Sequence, residues 1–171
     1  MKVLFVCKMN VGRSQMAEAL YNQATKSLEA DSAGVTVQKP GQTILERSYE
    51  KPGVKYIIDV MMEEGIDISQ YKRKQLMPDM MGEYDLMVNM AEQNYCPDWL
   101  LQAKNVITWT IKDPKGLSYE ITSATRDILK SYIDQLIADH KPGLPETPLA
   151  PVSGSGIAGI LDKPNKHLPI S

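Results

Sequence analysis

An apolar run, Lys2-Val3-Leu4-Phe5-Val6, leads into Cys7 and gives way at Ser14 to helical periodicity, and this succession limits the folds open to the chain. Residues 2–6 read as a buried strand and residues 14–27 as a helix, with Met16, Ala17, Leu20, Tyr21 and Ala24 recurring on one face. Cys7 is then expected in the strand-to-helix loop, with Arg13 six residues after it. The same alternation continues as strand 28–33, helix 54–64, strand 85–90, helix 92–102, strand 105–110 and a long helix 118–139. It predicts an α/β fold whose parallel sheet is covered by helices on both faces. In the last helix Ile121, Ile128, Leu129, Tyr132, Ile133, Leu136 and Ile137 form an apolar stripe expected to pack on the core.

The loop has the layout of an oxyanion-binding thiolate site. A helix N-terminus offers unpaired N–H groups and partial positive charge, which cradle a tetrahedral anion and hold a neighbouring thiol as thiolate. The two histidines, His140 and His167, lie far along the chain, so a Cys-His dyad is not expected. Arg13 supplies a planar, permanently charged fork for two equatorial oxygens of a transferring group. Lys8, Met9, Asn10, Val11, Gly12 and Ser14 complete the expected substrate-binding loop. Cys7 taken alone would read as a buried apolar residue ending a strand. Arginine and serine at these offsets, between strand and helix, turn the reading toward phosphoryl transfer to sulfur.

The stretch resembles the signature loop of the low-molecular-weight protein tyrosine phosphatase superfamily, which also contains the thioredoxin-coupled arsenate reductases. Asp31-Ser32-Ala33-Gly34, Gly65-Ile66-Asp67-Ile68-Ser69 and Tyr84-Asp85-Leu86-Met87-Val88 match further segments in order. The resemblance implies a three-layer sandwich with a four-stranded parallel sheet in the order 2-1-3-4, the loop lying at the carboxyl end of the strands. It also implies a general acid at Asp113 of Asp113-Pro114. A carboxylic acid there could protonate the leaving oxygen and then activate the water that hydrolyses the cysteinyl-phosphate. Without the Cys7 loop, Asp-Pro-Lys-Gly would read as a plain turn. By the same resemblance Asn10 supports the loop backbone and Ser14 hydrogen-bonds the thiolate, although Ser14 also suits a helix N-cap.

Two departures bear on function. Gly12 stands where many members carry a second cysteine that shields the nucleophile in a reversible disulfide. Cys96 lies in the region where the arsenate reductases carry two relay cysteines, but the upstream segment reads Asn89-Met90-Ala91-Glu92, so a complete thiol relay cannot form within one molecule. Cys96 is open between an inert buried thiol and a redox partner. The helix start Arg13-Ser14-Gln15-Met16-Ala17-Glu18-Ala19 looks more like the reductase branch. That branch would place potassium near Asn10, Glu18, Ser32 and Asp67, a scattered set on which no metal is assigned. No other cofactor is expected.

Residues 38–54, punctuated by Pro40-Gly41 and Pro52-Gly53, read as an excursion that is either a tolerated surface insertion or a border of the active site. The catalytic domain is expected over residues 1–140 and a Pro/Gly-rich extension over 141–171. In that extension Gly154-Ser155-Gly156-Ile157-Ala158-Gly159 matches a dinucleotide-loop pattern only formally, since neither strand nor helix flanks it. The methionines near 77–81 read as packing residues rather than a soft-metal site.

A length of 171 residues, 43% hydrophobic and 23% charged, fits an ordinary globular domain, and a net charge of −2 gives no reason to expect nucleic acid or an anionic membrane as partner. No apolar stretch is long enough to span a bilayer, no cleavable signal is apparent, and a cysteine that must stay reduced suggests the cytoplasm. Expected partners are a phosphorylated protein or small aryl phosphate, oxyanions such as phosphate, sulfate or arsenate, and thioredoxin or a low-molecular-weight thiol. The leading expectation is phosphomonoester hydrolysis by Cys7, Arg13 and Asp113. The alternatives are arsenate reduction, with Cys7 assisted by Cys96 or an external thiol, and a non-catalytic oxyanion-binding regulatory module.

Overall fold

The computed structural model describes residues 1–114 and 118–140. Its sheet is built on β1 (Val3–Cys7), buried at every position, flanked by β2 (Ala30–Gly34) and β3 (Leu86–Asn89), with β4 (Val106–Thr108) beyond β3. All pairings are parallel and the order is β2-β1-β3-β4, as the resemblance implies. Cys7 sits opposite Gly34 and Val6 opposite Asn89, so three strands end together. Open parallel sheets bind ligands at this carboxyl edge.

Alternation along β1 divides the core. Val3, Phe5 and Cys7 face α1 (Arg13–Thr25), α3 (Lys55–Met62) and α5 (Tyr119–Asp139), while Leu4 and Val6 face Leu76, Met87 and Leu100 of a smaller cluster. The Phe5 ring lies 5.9 Å from Tyr21 and 5.8 Å from Trp109, centroid to centroid. Each such fully buried side chain contributes about 1.5–3 kcal/mol by leaving water. On the rim of the larger cluster Arg126 ties α5 to α3, donating from Nη1 to Val60 O at 2.8 Å and Glu63 Oε2 at 2.6 Å.

Several boundaries differ from those expected. β1 runs one residue further, so Cys7 is the last residue of the strand rather than part of the loop. The first helix starts at Arg13 and stops at Thr25, where Lys26 takes a left-handed φ of 53°, and Ala24 is exposed. Helix 54–64 is shorter, with a 3-10 turn at Pro52–Val54 before α3 and Gly65 turning out after it at φ 72°. The expected helix 92–102 is instead a 3-10 turn, Gln93–Tyr95, and a four-residue helix, α4 (Asp98–Leu101). Pro97 forces this break: it has no amide hydrogen and pushes Cys96 into extended backbone at ψ 135°. The 38–54 excursion contains a helix, α2 (Ile44–Glu50), started by a Thr43–Glu46 capping box. The extension 141–171 lies outside the described residues.

Gly34 has no room for a side chain. A Cβ there would stand 2.7 Å from Asn10 N, 2.9 Å from Met9 C and 2.7 Å from Val37 Cγ2. Two of those neighbours are backbone of the loop after Cys7, so the loop itself would have to move. Gly34→Ala is expected to cost about 1–3 kcal/mol, the usual range for overpacking, read as a lower urea midpoint.

Candidate active site

Gly12 caps α1 without a side chain, and the helix amides from Arg13 onward open toward Cys7. Ser14 therefore lies inside the first turn and is not the N-cap. Its Oγ is 3.0 Å from Cys7 Sγ and accepts from Asn10 Nδ2 at 2.9 Å. The Ser14 oxygen accepts from Asn10, and its hydroxyl hydrogen can donate to the Cys7 sulfur when that is a thiolate.

Asn10 holds the loop in shape. It adopts φ 50°, a conformation asparagine tolerates better than most residues. Besides Ser14, its Nδ2 donates to Ser32 Oγ at 2.8 Å, while Oδ1 accepts from Lys74 N at 2.7 Å and Gln15 Nε2 at 3.0 Å. These bonds use the full capacity of the amide. From below, Arg73 donates through Nε and Nη2 to Met9 O at 3.2 and 3.1 Å and through Nη1 to Gln42 Oε1 at 2.8 Å, while only 1% exposed. Burial, and then the nearby Arg47 charge, pull the Arg73 guanidinium below its ordinary value. Neither Gln15 nor Arg73 was singled out from sequence. The signal for Arg73 was the Lys72-Arg73-Lys74 run: in extended backbone the middle residue faces opposite to its neighbours, here inward.

The Arg13 guanidinium is buried and aimed. Its Nη1 donates to Met90 O at 2.6 Å and Ile111 O at 2.8 Å, carbonyls that follow β3 and β4. Its Nη2 lies 3.4 Å from Asp113 Oδ2 and 3.6 Å from Glu92 Oε1, yet is buried without a hydrogen-bond partner. A donor left so is costly unless an acceptor arrives. Cys7, Gly12, Arg13 and Asp113 line one cavity of about 160 Å³. Val11, Val54, Ile57 and Pro114 wall it with apolar surface, and Arg47 and Lys51 stand at its margin. The 38–54 segment thus borders the site. None of Tyr49, Tyr71, Tyr95 and Tyr119 lines the cavity: Tyr49 is 76% exposed, Tyr95 lies under Lys8 Nζ at 3.3 Å, and Tyr119 is bonded to Glu63. A Cβ on Gly12 would meet Ile57 Cδ1 at 3.3 Å, so a side chain there would press on the apolar wall.

The structure does not bring Cys96 to Cys7. Cys7 belongs to the cluster under α1, α3 and α5, whereas Cys96 packs with the cluster on the other sheet face. Asn89 Nδ2 donates to its sulfur at 3.4 Å, and burial pushes the Cys96 thiol up.

The suggested potassium ligands do not converge either. Ser32 Oγ donates to Glu18 Oε2 at 2.6 Å and Asn10 joins Ser32, but Asp67 is exposed and accepts from the Ser69 amide of its own turn. Beside Glu18 stands an ammonium, Lys74 Nζ, 3.7 Å from Glu18 Oε2 and hydrogen-bonded to Asp31. The set does not fit a potassium site, since the positive charge there belongs to the chain.

Melting temperatures in potassium and sodium chloride of equal ionic strength are accordingly expected to coincide. Glu18 supplies a second test. Burial raises its carboxyl above the ordinary 4.5, and Lys74 and Ser32 offset only part of this. A raised acid favours the fold fully below its unfolded value and ceases to as pH rises through the folded one. Glu18→Gln, which cannot ionise, is expected to gain in urea midpoint relative to the parent as pH rises above the ordinary carboxylate value of 4.5.

The family model described as low molecular weight phosphotyrosine protein phosphatase matches residues 2–142. A glutaredoxin arsenate reductase of Synechocystis is 34% identical over 139 residues, covering 80% of this chain and 96% of that protein. Among solved structures, the low molecular weight protein tyrosine phosphatase of T. tengcongensis is 29% identical with a TM-score of 0.66, covering 81% of this chain and 98% of its own. The YwlE arginine phosphatase of Geobacillus stearothermophilus is 26% identical with a TM-score of 0.66, over 82% and 97%. With its sheet order, its loop geometry and a match that spans most of its length, the chain belongs to the low molecular weight phosphotyrosine protein phosphatase family.

Proposed function

We propose that the protein hydrolyses phosphomonoesters, on a phosphorylated protein or a small aryl phosphate, through a cysteinyl-phosphate intermediate. The observation that carries this reading is the shared cavity: a cysteine sulfur, a half-satisfied guanidinium 3.4 Å from a carboxylate, and that carboxylate itself open to the same space. Cys7 Sγ attacks phosphorus in line while Arg13 Nη2 and the helix amides take the equatorial oxygens. Asp113 protonates the leaving oxygen as the ester bond breaks, then takes a proton from the water that releases phosphate and restores Cys7. Residues 1–140 would form this catalytic unit, with 141–171 appended, and a reducing cytoplasm would suit an unpaired nucleophilic cysteine.

Arsenate reduction is the second reading, favoured by the likeness to the Synechocystis reductase over 80% of this chain and 96% of that protein. Cys7 would displace water from arsenate to form a thiol-arsenate adduct. An external thiol would then attack the Cys7 sulfur, releasing arsenite and leaving a mixed disulfide that a second thiol reduces. The placement of Cys96 on the other sheet face favours an external donor over an internal one.

Parallel assays on an aryl phosphate, and on arsenate supplied with glutaredoxin, thioredoxin or glutathione, separate the two. Phosphate release is expected to vanish in Cys7→Ser, to fall roughly 10²–10⁴-fold in Asp113→Asn, and to persist in Cys96→Ser. Catalytic arsenite formation with no phosphate release would replace the first reading by the second.

A further inference from the structure

Beside the cavity that holds Cys7 lies a second depression of about 530 Å³, which shares Met9, Arg47 and Lys51 with it and is lined further out by Lys8 and Gln38. Three cations face this space and no carboxylate lines it. Arg47 forms the ridge between the two cavities. It is 8% exposed; its Nη1 is bonded to Glu50 Oε2 at 2.7 Å, and its Nε is buried with no acceptor. Glu50 neutralises it only in part, because the same carboxylate also accepts from Lys39 Nζ at 2.6 Å and Gln42 Nε2 at 2.9 Å. Lys8 is held over the Tyr95 ring, a contact that positions its charge without cancelling it. Lys51 has no ion pair among the described residues.

Arg47 has one carboxylate partner, which it shares with Lys39, and Lys8 and Lys51 add two further charges, so the wall of this open depression carries positive charge in excess and marks a place for a ligand anion. The phosphoryl group does not account for it, since Arg13 and the helix N-terminus already supply the donors around Cys7. The two cavities are contiguous, so the second anion belongs to the same molecule as the first. The inner cavity, of about 160 Å³, has room for a phosphoryl group and part of what carries it, whereas the outer one, of about 530 Å³, is more open and rimmed by polar side chains, as suits an extended chain better than a compact metabolite.

We propose that Arg47, Lys51 and Lys8 form an anion subsite that selects phosphopeptides with acidic side chains next to the phosphorylated residue. This rests on the phosphatase reading for turnover but not for binding, so the two can fail separately. The first readout is the binding of phosphopeptides to the Cys7→Ser protein, one series flanked by Glu or Asp, one by Gln or Asn, with inorganic pyrophosphate as a compact dianion. The acidic series is expected to bind about 10-fold tighter than the neutral one, as for a charge-assisted contact, with the advantage shrinking as salt rises. Arg47→Gln is expected to remove most of the advantage, and Lys51→Glu, an exposed change that leaves the fold alone, to abolish or invert it. If the acidic series has no advantage, if Lys51→Glu keeps it, or if pyrophosphate outcompetes the acidic peptides, the proposal is overturned. Acidic preference in binding without phosphate release from any peptide by the parent protein would uphold the subsite and reject the phosphatase reading.

Discussion

The geometry of the site depends on one side chain amide. Asn10 joins the loop after Cys7 to Ser14 of α1, to Ser32 of β2 and to the extended segment at Lys74, all from a residue in left-handed backbone. Each partner is itself buried or anchored, so the loop inherits the rigidity of the sheet and helix around it. Arg73 reinforces this from the opposite side by holding the Met9 carbonyl. The resulting concave backbone is what allows amides, the Ser14 hydroxyl and the Arg13 guanidinium to point at one small volume. Preorganisation of this kind is where an enzyme acting by electrostatic stabilisation draws its rate, because nothing needs to reorient when charge moves.

Charge is distributed around that volume in two tiers. Arg13 is locked to carbonyls that follow two strands, Met90 O and Ile111 O, and so presents a fixed donor to the cavity. Farther out, Arg47 and Lys51 belong to α2 and the turn that follows it, a segment docked on the sheet side through Ile44 and through the Arg73–Gln42 bond. The inner charge sits at the start of α1 and the outer charge on α2 and the turn after it, so the two tiers rest on different elements and can vary independently.

Much of this was legible in the sequence and some was not, for identifiable reasons. The strand leading up to Cys7 and the helix after it follow from local periodicity and the sheet order 2-1-3-4 from the family resemblance; the structure reproduces them, with Cys7 drawn into the strand as its last residue. The helix at Ile44–Glu50 was missed although Thr43-Ile44-Leu45-Glu46 spells a capping box, because the flanking Pro-Gly pairs dominate the reading of a short segment. Expecting one helix over 92–102 gave too little weight to Pro97. Gln15 and Arg73 were missed for a different reason: the Lys72-Arg73-Lys74 run could have hinted that Arg73 turns inward, but the carbonyls and amides that both side chains meet lie across the fold, and no local pattern encodes a long-range partner.

The alternation of β1 also shapes how Cys7 ages. Successive side chains of a strand lie on opposite faces, and Cys7 and Cys96 pack on opposite sides of the sheet, while Gly12 offers no second thiol on the near side. A sulfenic acid formed on Cys7 by peroxide then has no thiol of its own chain on that face with which to condense, and further oxidation to the sulfinic acid is irreversible for most proteins. Survival of the site under oxidative stress passes to small thiols that enter through the cavity mouth, which ties the working lifetime of each molecule to the thiol pool around it.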